Sequence, residues 1–146
     1  MATAIVYKSV HHGNTKKLVD AIAASCPDVS VFDANDRLFD PTKYDRIGFA
    51  SGIYMGKMHK SILKALDGMQ GSGKKAFALF TCGDKNGGKY GAKFLNALRE
   101  KGFETCGSYW CLGHDSFGPL KLMGGVHKER PNTEDIRGAV EFYTKL

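Results

Sequence analysis

The chain has 146 residues, 42% of them hydrophobic and 25% charged, the balance of one soluble globular domain that buries roughly two-thirds of its unfolded surface. No apolar run approaches the length of a membrane span and the N-terminus lacks a secretory pattern, so one domain over 1–146 in the cytoplasm is expected, with no transmembrane segment. The net charge of +6 raises a nucleic-acid reading. Yet the lysines come in ones and twos (Lys16-Lys17, Lys74-Lys75, Lys85, Lys89, Lys93) with no dense tract or recognition motif, which favours a solvated basic surface over nucleic-acid binding.

Strand and helix signals alternate along the whole chain, without repeats or a linker. An apolar run predicts a first strand at about 3–8, and Leu18, Val19 and Ile22 predict a helix at about 14–25 that Cys26-Pro27 ends. Strands follow at 29–32 and, after the turn-prone Asp40-Pro41, at 46–50. Met58, Ile62, Leu63 and Leu66 share one face of a helix near 58–67. Gly68 to Gly73 reads as a loop, and the unbroken apolarity of 76–80 suits a strand buried on both faces of a parallel sheet. A Gly-rich loop at 83–88 leads to a helix carrying Phe94, Leu95 and Leu98, stopped at Gly102. A fifth strand is expected within 103–112. The last helix starts near Asn132, a good N-cap with Glu134 and Asp135 in the first turn. Five β-α units define an α/β class, a three-layer doubly wound domain. Ligands in such sheets sit beyond the carboxyl ends of the strands, so the loops at 9–14, 51–57, 81–89 and 113–125 are expected to converge.

The first of those loops, Ser9-Val10-His11-His12-Gly13-Asn14-Thr15, joins a strand to a helix with hydroxyls, an amide and one glycine. Free N–H groups at a helix start attract an anion, and the macrodipole reinforces them. The loop lacks the Lys-Ser/Thr pair of a triphosphate loop and the glycine pattern of dinucleotide binders. A single terminal phosphate, held mostly by neutral donors, is what remains. The four cysteines, Cys26, Cys82, Cys106 and Cys111, form no C-x-x-C pair and have no zinc-like spacing with histidine. Buried structural thiols are expected, and no metal. His114-Asp115-Ser116 resembles a triad only in sequence, since adjacent side chains point in different directions and triads are spatial. No catalytic residue is assigned.

Three loops in order resemble those of the flavodoxin family. Ser9 to Thr15 is similar to its FMN phosphate loop. Ser51-Gly52-Ile53-Tyr54-Met55-Gly56, after the third strand, resembles its second flavin loop, and Thr81-Cys82-Gly83-Asp84 its third. The resemblance spans essentially the whole chain and implies a five-stranded parallel sheet in the order 2-1-3-4-5. It also implies FMN as cofactor, with Ser9, Val10, His11, His12, Gly13, Asn14 and Thr15 at the phosphate. Ser51, Gly52, Ile53, Tyr54, Met55, Gly56, Thr81, Cys82, Gly83, Asp84 and Gly87 would lie around the ring. Tyr54 would stack on the flavin, a contact contributing on the order of 1 kcal/mol beyond area burial. A peptide near flavin N5 flips in this family, and Gly56 is favoured over Gly52 for it because glycine tolerates both conformers. Function follows as electron transfer between redox partner proteins through flavin semiquinone and hydroquinone. The alternative is a flavin-dependent oxidoreductase acting on a porphyrinogen, a quinone or NAD(P)H. A carrier is preferred over a stand-alone enzyme, and a monomer is expected.

The chain also departs from that family. Ser9 lies one position further from Gly13 than the commonest spacing, so Val10 or His11 would bulge. His11 and His12 replace small hydroxyl residues; each either reaches the phosphate or simply packs or faces solvent. Lys85-Asn86-Gly87-Gly88 stands where many members place a second stacking aromatic, leaving that flavin face open or covered by Tyr90 or by part of 113–125. The basic charge implies partners with acidic docking surfaces. It also implies a less negative potential than that of the acidic members: one charge about 10 Å away is worth roughly 1.7 kcal/mol, or about 70 mV. Finally, Phe117 to Gly125, with Tyr44-Asp45-Arg46 and His59, distantly resembles flavodoxin-like protoporphyrinogen oxidase, whose long insertion in strand five is missing. Leu120, Leu122 and Met123 read there either as a docking edge or as a short helix capping the core.

Overall fold

The computed structural model describes residues 1–10, 13–113 and 130–146. The elements, in chain order, are β1 (Thr3–Lys8), α1 (Asn14–Ser25), β2 (Val29–Asp33), β3 (Arg46–Tyr54), β4 (Lys57–Met58), α2 (Lys60–Asp67), β5 (Lys75–Cys82), α3 (Gly88–Glu100), β6 (Glu104–Leu112) and α4 (Thr133–Thr144), with a short 3-10 turn at Pro41–Lys43. Five strands run parallel in the order β2-β1-β3-β5-β6. That is the order the family resemblance implies, 2-1-3-4-5 once the short β4 is left out of the count. The short β4 pairs antiparallel with the end of β3.

Apolar alternation along the strands divides the core between two helical layers. Ala76, Ala78, Phe80 and Cys82 of β5 pack on one face with Ile62 and Leu66 of α2 and Phe94 and Leu98 of α3. Phe77 and Leu79 pack on the other with Leu18, Val19 and Ile22 of α1 and Ala139 and Tyr143 of α4. Phe49, Phe77 and Phe80 are fully buried, each contributing about 1.5–3 kcal/mol by removal from water. The far end of the Phe77 ring abuts Gly48, where a Cβ would stand 2.3 Å from Cζ. This strand centre therefore excludes even alanine.

The helix ends follow their sequence signals. α1 closes with the Cys26 N–H on the Ile22 carbonyl, one residue before Pro27. α4 opens with a capping box in which Asn132 accepts from the Asp135 N–H and Asp135 accepts from the Asn132 N–H. Two boundaries differ from expectation. β3 runs on through Ser51 to Tyr54, and α2 starts at Lys60, because a two-residue hairpin turn at Met55-Gly56 inserts β4 between them. In β6 a register shift pairs Phe77 with Gly107, leaving Cys106 as the extra residue of a β-bulge. Cys26, Cys82 and Cys111 are buried as expected, whereas Cys106 is only half-buried for that reason. Among the described residues no helix is long and apolar enough to cross a membrane.

Candidate functional site

Parallel pairing brings the carboxyl ends of β1, β3, β5 and β6 to one rim of the sheet. Lys8 lies beside Ser51, Gly52 beside Thr81, and Cys82 beside Leu112. The first loop begins there. Gly13 precedes α1 at φ +65°, a left-handed conformation that glycine adopts without penalty, and a Cβ on it would meet nothing within 4 Å. Conformation, not space, demands the glycine. α1 has no side-chain N-cap and no acidic residue in its first turn. Instead the Ser9 hydroxyl reaches across the loop and accepts from the Lys16 N–H at 3.2 Å. The start of α1 thus carries neutral hydroxyls and N–H groups and no acidic side chain, the polarity that suits an anion. His11 and His12 lie outside the described residues; Val10, beside them, is exposed.

Behind this loop the polar side chains are buried. Thr15 Oγ1 and Thr81 Oγ1 share a hydrogen bond of 3.0 Å, tying the first turn of α1 to the end of β5. Asn14 is buried against Gly113, where a Cβ would stand 2.6 Å from Asn14 Nδ2 and 3.2 Å from Thr81 Cβ. The Gly113 N–H donates to the Cys82 carbonyl at 3.0 Å. Gly113 therefore lets the end of β6 close against the start of α1 and the end of β5. Nothing local in the sequence announces that role, which is created by residues far away along the chain.

The second loop is a hairpin. Met55 at φ +51° and Gly56 at φ +81° occupy its two central positions, the signature of a type I′ turn. Methionine pays a steric penalty in that conformation, and its side chain is 91% exposed. Ser51 is fully buried; its hydroxyl donates to the Gly52 carbonyl at 2.7 Å and accepts from the His59 N–H at 3.0 Å. The Tyr54 ring is half-buried and folds back over Gly52, where a Cβ would lie 3.1 Å from its hydroxyl. Ile53 pairs with Met58 across the hairpin.

The third loop is organised by Asp84. Its carboxylate accepts from the Asn86 N–H at 2.8 Å and the Tyr90 hydroxyl at 3.0 Å, and Lys89 stands 3.3 Å away. Those donors hold the carboxyl below its ordinary range, the Asn86 N–H most of all. The Asp84 carbonyl accepts from the Cys82 thiol at 3.3 Å. Gly87 is buried where a Cβ would stand 2.5 Å from Cys82 Sγ and 2.9 Å from the Trp110 ring. It thus has a packing reason to be glycine, beyond any contact with a ligand. Trp110 itself stacks on Phe80, with ring centroids 6.0 Å apart. Tyr90 bridges the second and third loops, its ring 3.7 Å from where a Gly56 Cβ would be. Gly83 lies half-buried between these groups.

Other features expected at this rim fall outside it or outside the described residues. Burial pushes the Cys111 thiol up to about 12, so it is inert as a nucleophile at neutral pH. Residues 114–129, which include the His114-Asp115-Ser116 run and Leu120, Leu122 and Met123, are not among those described. Among the described residues no cluster of three or more potential metal ligands occurs.

A loop, a hairpin and a second loop at the strand ends, with buried threonines and one half-buried tyrosine, line one rim of a small doubly wound domain. The family model described as the flavodoxin domain matches residues 4–102, and the chain belongs to that family. An uncharacterised protein of Methanocaldococcus jannaschii is 40% identical over 144 residues, covering 97% of this chain and 95% of that protein. A flavodoxin from the domain Archaea is 19% identical and superposes with a TM-score of 0.71 over 99% of this chain and 98% of that one. A Lactobacillus acidophilus flavoprotein solved in complex with FMN is also 19% identical, with a TM-score of 0.62 over 75% of this chain and 92% of that one.

Proposed function

We propose that this protein binds FMN without a covalent bond across its three loops and carries electrons between partner proteins. One observation carries the reading: α1 starts at the rim on a left-handed Gly13, with no acidic residue in its first turn and with the hydroxyls of Ser9, Thr15 and Thr81 beside it. A phosphate would take that place. Ser9, Gly13, Asn14 and Thr15 would hold it through hydroxyls and N–H groups, with His11 and His12 beside it. Ser51 to Gly56 and Thr81 to Asp84 would enclose the ring, Tyr54 supplying the stacking surface and Gly56 the adaptable peptide. Bound FMN supplies one- and two-electron chemistry; the chain supplies orientation and electrostatics. Lys57 in the second loop, Lys60 just after it and Lys85 in the third are exposed. They favour an acidic docking partner and a less negative potential than acidic family members have.

A second reading has one observation of its own. A cavity of about 260 Å³ beside the third loop is lined by Lys85, Trp110, Cys111, Leu112, Arg130 and Asp135. A quinone, porphyrinogen or nicotinamide reaching the flavin through it would make the protein an oxidoreductase. Turnover separates the two. The carrier account expects FMN-loaded protein to leave NAD(P)H unoxidised over minutes in the absence of a partner. Steady unaided oxidation would replace it with the enzyme reading.

A further inference from the structure

His59 lies between β4 and α2 and belongs to none of the three loops, yet it touches the second one in two ways. Its N–H donates to the buried Ser51 hydroxyl at 3.0 Å, and its ring meets Tyr54 edge-on, with centroids 5.1 Å apart and planes at 86°. A third contact faces the other way. Nδ1 accepts from the Ser61 N–H at 3.0 Å, making His59 the N-cap of α2. Accepting at Nδ1 requires a neutral imidazole whose one proton is on Nε2. A protonated ring has no acceptor left.

We propose that His59 is the positioning residue of the flavin loop, a neutral imidazole that caps α2 while backing Tyr54, so that its protonation uncaps the helix and loosens the tyrosine. This rests on the flavin reading only for what Tyr54 would stack upon. The charged groups acting on the ring are Lys8 of β1, Lys60 of α2 and Asp33 of β2, the last 3.8 Å from Lys8. Burial, then Lys8 and Lys60, lower the proton affinity of His59; Asp33 opposes them. An unfolded chain thus binds this proton more readily than the folded one. The cap is intact above the ordinary histidine value of about 6.5 and is lost as pH falls below it, through the folded value.

The test follows the Ser61 amide and Tyr54 ring resonances of the full chain by NMR from pH 7.5 to 5.0, in wild type and in His59→Asn. Asparagine is a good N-cap that does not titrate in this range. In wild type, both signals are expected to move together with the His59 titration. In His59→Asn, both should stay flat while the α2 amides keep their protection. FMN affinity is read in parallel. Wild type should lose about three- to tenfold more affinity than His59→Asn between pH 7.5 and 5.5, a difference that cancels the titration of the FMN phosphate itself. The proposal is overturned if the Ser61 amide and the Tyr54 ring ignore the His59 titration, or if the variant keeps the wild-type acid loss. Failure of wild type to bind FMN at pH 7.5 would instead remove the flavin reading and leave the NMR comparison to decide the role of His59.

Discussion

At the scale of single residues, the rim is built from positions whose chemistry conflicts with local preference. Met55 is the sharpest case: a side chain in the left-handed region costs about 1–2 kcal/mol, and such strain collects at functional sites. Met55→Gly is expected to raise the unfolding free energy by about 0.5–1 kcal/mol in urea denaturation, the relief of strain offset by glycine's larger unfolded-state entropy. An unchanged or lower stability would show that the exposed methionine already rests comfortably in its turn. Sequence reasoning singled out Gly13, Gly56 and Tyr54 for a flavin site, because a glycine after a strand and an aromatic before a glycine are local signals, and both glycines do adopt positive φ. It did not identify Gly113, the Asp84–Tyr90 link or His59 as a cap. Each of those depends on a neighbour placed by tertiary folding, and Gly113 faces Asn14 from the far end of the chain.

At the scale of elements, boundaries were legible wherever a residue dictates one. Pro27 ends α1, and Asn132 with Asp135 begins α4. The hairpin of β3 and β4 was hidden, because no Asn-Gly or Asp-Gly pair marks its turn and a methionine occupies the first central position. Apolar residues at Met58 and Ile62 then suggested a helix two residues too early. The start of α4 carries a pH dependence of its own. Burial pushes the Asp135 carboxyl upward, but bonds from Arg130 at 2.5 and 2.7 Å and from the Asn132 N–H outweigh it and hold the carboxyl below its ordinary value. The folded chain therefore resists protonating Asp135. The stability it contributes is present above the unfolded value of about 4 and is lost as pH falls through the folded one. Asp135→Ala should cost about 1–3 kcal/mol at pH 7, since it removes the capping box and the ion pair to a half-buried Arg130. The difference between variant and wild type should shrink in acid-denaturation curves below pH 4. A gap that stays constant into acid would show that the ion pair contributes nothing to stability.

At the scale of the whole molecule, the alternation of elements was enough to give the doubly wound α/β class, because parallel strands linked by helices leave few connections open. The strand order came from the family resemblance of the loops. The order β2-β1-β3-β5-β6 then brings the carboxyl ends of β1, β3, β5 and β6 to one rim. Net charge, by contrast, bears on partners and potential and not on fold. The +6 charge, with Lys57, Lys60 and Lys85 exposed, would favour the acidic docking partner proposed above. That docking depends on whether the rim holds FMN by its phosphate. The decisive measurement is a fluorescence titration of the apoprotein with FMN and, separately, with riboflavin at pH 7.5. The account predicts quenching that saturates at one FMN per chain, and riboflavin binding at least about tenfold weaker, because the α1 start then has no anion to bond. Equal affinity for the two flavins, or no binding of either, would contradict it.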